Sequence, residues 1–147
     1  MSEVLGTRSE APDAGIEKCV DVSPATILLV EDEEMVRVVM CEVLEQEGYV
    51  VHACAHPSEG IEVSLRAGVQ IDLLLTDVVM PGMNGREMAN RILETLPGLR
   101  VVFMSGYSEH ALTEDGYVHP QFEYLQKPFT LRALSQKLTR VLAERVQ

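Results

Sequence analysis

Four apolar runs in this chain each end abruptly in a polar group that can do chemistry. Residues 73–85, LLLTDVVMPGMNG, deliver Asp77 where the run stops, and the breakers Pro81-Gly82 and Asn84-Gly85 follow. ATILLV at 25–30 is followed by Glu31-Asp32-Glu33-Glu34, RVVFM at 100–104 by Ser105-Gly106, and FEYL at 122–125 by Gln126 and then Lys127-Pro128. Carboxylates gathered in one cleft repel and raise each other's proton affinity, a conflict that a hard divalent cation relieves. An all-oxygen donor set suits Mg²⁺ or Mn²⁺ rather than zinc or copper. An ammonium and a hydroxyl beside such a cation can hold phosphoryl oxygens, and a carboxylate can act as nucleophile to give an acyl phosphate. Phosphorylation of Asp77 is therefore the chemistry this set would support, if the fold brings the groups together. Singly each group has an ordinary reading: a turn or cap for Asp77 and Ser105, a solvated surface cation for Lys127, and a helix start for the acidic run.

The elements that must position them follow from periodicity. Residues 25–30 read as a buried strand, and from Met35 the period changes to 3.6, with Val36, Val39, Met40, Val43 and Leu44 on one face until Gly48. YVVHA at 49–53 is a second strand; Pro57 opens a helix carrying Ile61 and Leu65, which Gly68 can close. Residues 71–76 form a third strand, and Met88, Ile92 and Leu96 share a helical face that ends at Pro97-Gly98. A fourth strand at 100–104, a short helix at 108–112, a fifth strand at 122–125 and a last helix with Leu131, Leu134, Leu138, Val141 and Leu142 on one stripe complete the chain. Five strands alternating with five helices predict an α/β fold, a doubly wound parallel sheet of flavodoxin-like order 2-1-3-4-5. In that order strands one and three are neighbours, so Glu31, Asp32 and Asp77 meet at their carboxyl ends, with Ser105 and Lys127 beside them.

The 147 residues suit one domain, with 1–24 a flexible tail or linker and 25–147 the folded unit. A hydrophobic fraction of 46% with 24% charged residues is that of a globular chain. No apolar run is long enough to span a bilayer, the N-terminus lacks a signal-peptide pattern, and a cytoplasmic location with no membrane contact is expected. A net charge of −11 argues against nucleic acid. Cys19, Cys41 and Cys54 form no close pair and read as reduced thiols. His52, His56, His110 and His119 lack ligand spacing and suggest no phosphoryl donor, so a donor must come from another protein.

With these residues in view, the chain resembles the receiver domain of two-component response regulators. The resemblance rests on ILLVEDE at 27–33, LLLTDVVMPGMNG at 73–85, VVFMSGY at 101–107 and FEYLQKPF at 122–129, and covers about residues 25–146. It implies that Asp77 is the phosphoacceptor, that Asp32 is the main metal ligand with Glu31 assisting through water, and that the Val79 carbonyl completes the set. It makes Ser105 and Lys127 the phosphate-sensing pair and Tyr124 an aromatic switch, turning inward from a solvent-facing rotamer and altering the surface of the fourth helix, fifth strand and fifth helix. It also implies a cis peptide before Pro128. The expected partners are a histidine kinase or histidine phosphotransfer domain and a downstream protein target, with homodimerisation left open and no enzymatic turnover beyond self-phosphorylation and autodephosphorylation.

Two alternatives are weaker. An aspartyl-nucleophile phosphatase or dehalogenase would carry a second acid two residues after the nucleophile, where this chain has Val79, and a flavodoxin would need a phosphate loop in 27–34. The wording of 103–107 and 122–134 looks like that of receivers at the C-terminus of hybrid sensor histidine kinases, and a freestanding receiver stands evenly beside that reading. Val79 and Tyr107 flank the path that water would take to an acyl phosphate, and neither can orient it. Slow self-dephosphorylation with Tyr107 as a shield is the expectation. Tyr107→Ala should shorten the acyl-phosphate half-life severalfold, and an unchanged half-life would rule out the shielding role.

Overall fold

Residues 24–66, 68–106 and 121–144 are described by the computed structural model. The elements are β1 (Thr26–Val30), α1 (Glu34–Gln46), β2 (Val50–Cys54), α2 (Pro57–Leu65), β3 (Leu73–Asp77), α3 (Gly85–Thr95), β4 (Arg100–Ser105), β5 (Phe122–Gln126) and α4 (Leu131–Glu144). The helix expected at 108–112 lies outside the described residues, so the final helix, expected as the fifth, is α4 here. All neighbouring strands run parallel in the order β2-β1-β3-β4-β5. The apolar runs explain this arrangement. β3 is buried at every position, as a central parallel strand covered on both faces must be. The edge strand β2 buries only Cys54.

Side chains alternate across the sheet and divide the core in two. Leu28, Val30, Leu74, Val101, Phe103 and Tyr124 face α2 and α3, meeting Val63, Met88 and Ile92. Ile27, Leu29, Leu73, Leu75, Val102 and Met104 face the other way, meeting Met40 and Leu44 of α1 and Leu134, Leu138 and Val141 of α4. Register fixes the strand ends relative to one another: Val30 lies opposite Thr76, Asp77 opposite Met104, and Ser105 opposite Gln126. Asp77 is thus the last residue of β3 rather than the first after it.

Helical periodicity misplaces three apolar side chains. Val39 on α1 is 49% exposed and Leu131 at the start of α4 is 48% exposed, because both border an open groove rather than the sheet. On α2, Leu65 is 60% exposed and Ile61 half-buried, while Pro57, Gly60, Val63 and Ser64 are buried. The small Gly60 sets that face: a Cβ there would stand 3.0 Å from Val30 Cγ2 and 3.1 Å from Met88 Sδ, so α2 sits close upon β1 and α3. Leu96 falls just beyond α3 as its C-cap and is half-buried. α2 ends at Leu65, short of Gly68, whose φ of +85° takes the chain on toward β3. Among the described residues no helix is long and apolar enough to cross a membrane.

The outer surface of β4, β5 and α4 is tied by charge. Glu123 accepts from Arg140 Nη2 at 3.0 Å and lies 3.5 Å from Lys137 Nζ and 3.9 Å from Arg100 Nη2. Arg100 also reaches Glu144 at 2.8 Å. Burial pushes the Glu123 carboxyl up, but the hydrogen bond and charge of Arg140, with Lys137, outweigh it and hold the group below its ordinary value. A depressed carboxyl stabilises the fold above its unfolded pKa, and that contribution is lost as pH falls through the folded one. Glu123→Gln should lower the melting temperature by about 3 °C near neutral pH. The gap to wild type should close on acidification below the ordinary carboxylate range, and a gap independent of pH would show that packing rather than charge is at stake.

Candidate functional site

The carboxyl ends of β1, β3, β4 and β5 surround a pocket of about 290 Å³ lined by Glu31, Asp32, Asp77, Val79, Ser105 and Lys127, among others. β1 gives out at Val30 because the next four residues are acidic, and it hands Glu31 and Asp32 to the pocket. One oxygen from each of Glu31, Asp32 and Asp77 lies within 4.8 Å of the others. Glu31 and Asp77 are 0% and 5% exposed, whereas Asp32 is open to solvent. Lys127, carried just beyond β5, places Nζ 2.6 Å from Asp77 Oδ1 and 3.5 Å from Glu31 Oε1. Its backbone N–H donates to the Ser105 carbonyl at 2.7 Å, which joins the ends of β4 and β5 behind the ammonium.

Electrostatics follow from this crowding. Burial, then hydrogen bonding to and repulsion from Asp77, lifts the Glu31 carboxyl to about 7, against the lowering influence of the Glu33 N–H and Lys127. Burial pulls the Lys127 ammonium down, yet Asp77 and Glu31 together hold it above its ordinary value, so it stays charged. Glu31 Oε2 accepts from the Glu33 N–H at 3.1 Å. Its Oε1 is buried and makes no hydrogen bond among the described residues. With the Lys127 ammonium 3.5 Å from Glu31 Oε1 and two further carboxylates beside it, the all-oxygen set fits a hard cation.

Of the site residues expected from the sequence, Glu31, Asp32, Asp77, Val79, Ser105 and Lys127 border this pocket, whereas Tyr124 lies within β5 and does not. Val79 borders the pocket and exposes 68% of its surface. The Lys127–Pro128 peptide bond is cis. Tyr124 is not solvent-facing: it is 9% exposed, and its ring stacks on Phe103 at 5.6 Å between centroids. Tyr107 lies outside the described residues, as do His110, His119 and Cys19. His52 and His56 stand on and after β2, and among the described residues no metal-ligating cluster includes them.

Three contacts were not foreseen. Thr76 Oγ1 donates to the Asp77 carbonyl at 3.0 Å. Arg37 Nη1 donates to the Glu31 carbonyl at 2.9 Å. Gly85, read from sequence only as a breaker, begins α3 directly against Asp77: its N–H donates to the Val78 carbonyl at 2.7 Å, and a Cβ would fall 1.9 Å from the Asp77 carbonyl oxygen. Asn84 caps the helix by accepting from the Glu87 N–H at 2.8 Å.

Comparison with known proteins agrees on one family. Residues 27–139 match the response regulator receiver domain. Sensor kinase CckA of Brucella abortus (strain 2308) is 36% identical over 133 residues, spanning 90% of this chain but only 14% of the kinase. The response regulator receiver protein CpdR of the same organism is 37% identical over 117 residues, 79% of this chain and 95% of CpdR. The crystal structure of the receiver domain from the hybrid histidine kinase CckA superposes with a TM-score of 0.69 at 30% identity, covering 80% of this chain and 99% of that one.

The approach of Gly85 to Asp77 makes a direct forecast. Gly85→Ala puts a methyl group into backbone that only the movement of β3 or α3 can clear, and should cost about 2–4 kcal/mol of stability. Urea denaturation measures it, and wild-type stability would mean that α3 does not press on β3 as described.

Proposed function

Since this chain belongs to the response regulator receiver domain family, we propose that Asp77 is its phosphoacceptor and that the chain relays a phosphoryl group from a histidine kinase or phosphotransfer protein to a protein target. The observation that carries this reading is the Lys127 ammonium 2.6 Å from Asp77 Oδ1, beside three carboxylates that all border one open pocket. An ion pair alone would be structural. Here Asp32 is exposed and borders the same open pocket, where a phosphoryl group and its cation can enter.

An Asp77 carboxylate oxygen attacks the phosphorus of a phosphohistidine. A new O–P bond forms, the P–N bond breaks, and its electron pair stays on the imidazole nitrogen of the donor. Lys127 keeps its proton throughout and passes from the Asp77 oxygen to a phosphoryl oxygen. Ser105, at the end of the adjoining strand, offers its hydroxyl to another. Glu31, Asp32, Asp77 and the Val79 carbonyl would hold Mg²⁺ or Mn²⁺, which fits the all-oxygen donors and the undonated Glu31 Oε1. Such a cation supplies positive charge to the transferring phosphoryl oxygens. With Ser105 drawn to the phosphoryl group, Tyr124 is the side chain whose rotamer reports the change, and its present buried position against Phe103 is one end of that equilibrium.

Val79 leaves the second-acid position of the aspartyl-nucleophile hydrolases apolar, which favours storage of the acyl phosphate over turnover. Residues 25–147 would form the receiver unit, working in the cytoplasm. The alignment with CckA supports a place within a hybrid kinase, and the 95% coverage of CpdR supports a freestanding receiver equally well.

Incubation with acetyl phosphate and Mg²⁺ should add about 80 Da to the intact chain, as an acyl phosphate that hydroxylamine removes. Asp77→Asn should abolish the adduct while leaving the fold intact. Stoichiometric labelling of that variant would move the acceptor to another residue.

A further inference from the structure

We propose that Arg37 is a positioning residue for the cation-binding carboxylates, acting through the backbone of Glu31; this rests on the reading of Asp77 and its neighbours just given. Arg37 lies in the first turn of α1, and its N–H donates to the Glu33 carbonyl at 2.9 Å. Its guanidinium turns back six residues and donates to the Glu31 carbonyl, Nη1 to O at 2.9 Å. Beside three carboxylates, that bond goes to a backbone carbonyl. A guanidinium placed only to offset local negative charge would be aimed at a carboxylate, where a forked pair is available.

What the bond achieves is visible from the other contacts of Glu31. Its N–H donates to the Cys54 carbonyl at the end of β2, at 3.1 Å. Its Oε2 accepts from the Glu33 N–H at 3.1 Å. With Arg37 on the carbonyl, the residue is held at both peptides that flank it and at its side chain, just beyond the end of β1. The Glu31–Asp32 peptide is thereby fixed, and so are the directions in which the Glu31 and Asp32 carboxylates leave the chain. α1 provides a firm base for the arginine, since Met40 and Leu44 anchor it in the core. Among the described residues Glu33, the N-cap of α1, makes no side-chain capping bond, so the guanidinium is a principal tie between this helix and the acidic corner.

The proposal has a sign that distinguishes it from simple electrostatics. A bystander cation near a divalent site weakens metal binding, so its removal should tighten Mg²⁺. Removal of a positioning group should loosen it, as the loss of outer-shell support does at metal sites, by about tenfold. Titration calorimetry with Mg²⁺ on the full chain should therefore show weaker binding for Arg37→Met by about that factor. Arg37→Lys, which keeps charge and a donor, should recover part of it. Half-saturating Mg²⁺ for labelling by acetyl phosphate should rise in parallel, with the final stoichiometry kept at saturating Mg²⁺. The amide nitrogen of Asp32, bonded to the carbonyl in question, should shift in the metal-free nuclear magnetic resonance spectrum of the variant.

Mg²⁺ affinity that is unchanged or tighter in folded Arg37→Met overturns the proposal. If that variant does not fold, Arg37→Gln is measured in its place against the same criterion. A wild-type chain that neither binds Mg²⁺ nor takes a phosphoryl group on Asp77 would instead overturn the functional reading beneath it.

Discussion

Three carboxylates sit within 4.8 Å of one another at the mouth of this sheet, two of them buried, and Lys127 makes that arrangement tenable. Taking such charges from water is unfavourable unless a partner stands close and remaining lone pairs are satisfied. The ammonium meets the first condition for Asp77 and, at longer range, for Glu31. The second is only partly met, because the Glu33 N–H satisfies one Glu31 oxygen and leaves the other without a donor. The cleft is therefore neutralised enough to fold and not enough to be inert. That residual imbalance is what a cation and a phosphoryl group would use.

The parallel sheet delivers this balance by bringing the carboxyl ends of neighbouring strands together on one edge. β1 and β3 pair directly, so the acids that follow Val30 and the acid that ends β3 become neighbours although 45 residues separate Asp32 from Asp77. β4 and β5 continue the row, and the bond from the Lys127 N–H to the Ser105 carbonyl fixes where the lysine departs. Burial of every β3 side chain, with Phe103 and Met104 of the adjoining β4 fully enclosed beside it, gives these ends a rigid base. Precision at the site is inherited from close packing beneath it.

Much of this was legible in the residues themselves. Apolar runs that give way to Asp77, Ser105, Glu31 and Lys127 announce both the strands and the groups at their ends. Strand order followed from alternation of strand and helix. Helix faces were less legible: α2 turns Gly60 and Val63 inward and leaves Leu65 outside, because close approach to Val30 and Met88 rewards a missing side chain over a large one. Long-range contacts of flexible or absent side chains were not legible at all. Periodicity places Arg37 on a helix but is silent on where its guanidinium reaches, and Gly85 reads as a turn former until the Asp77 carbonyl is found against it. Tyr124 shows the same limit, since its sequence position is compatible with either side of the sheet edge and only packing on Phe103 puts it inside.

The contact between Gly85 and Asp77 also divides the following loop by tolerance to change. The bond from the Gly85 N–H to the Val78 carbonyl closes the segment between them into a small ring whose two ends are already fixed by β3 and α3. Within that ring Pro81, Gly82 and Asn84 are exposed, and Asn84 serves the helix through its cap rather than the acid. The aspartate and the exposed turn that follows it are thus mechanically separate parts. A substitution at the exposed Pro81 therefore falls on the turn and not on the packing beneath Asp77, whereas Gly82, at a φ of +87°, and the capping Asn84 are each held to their residue type.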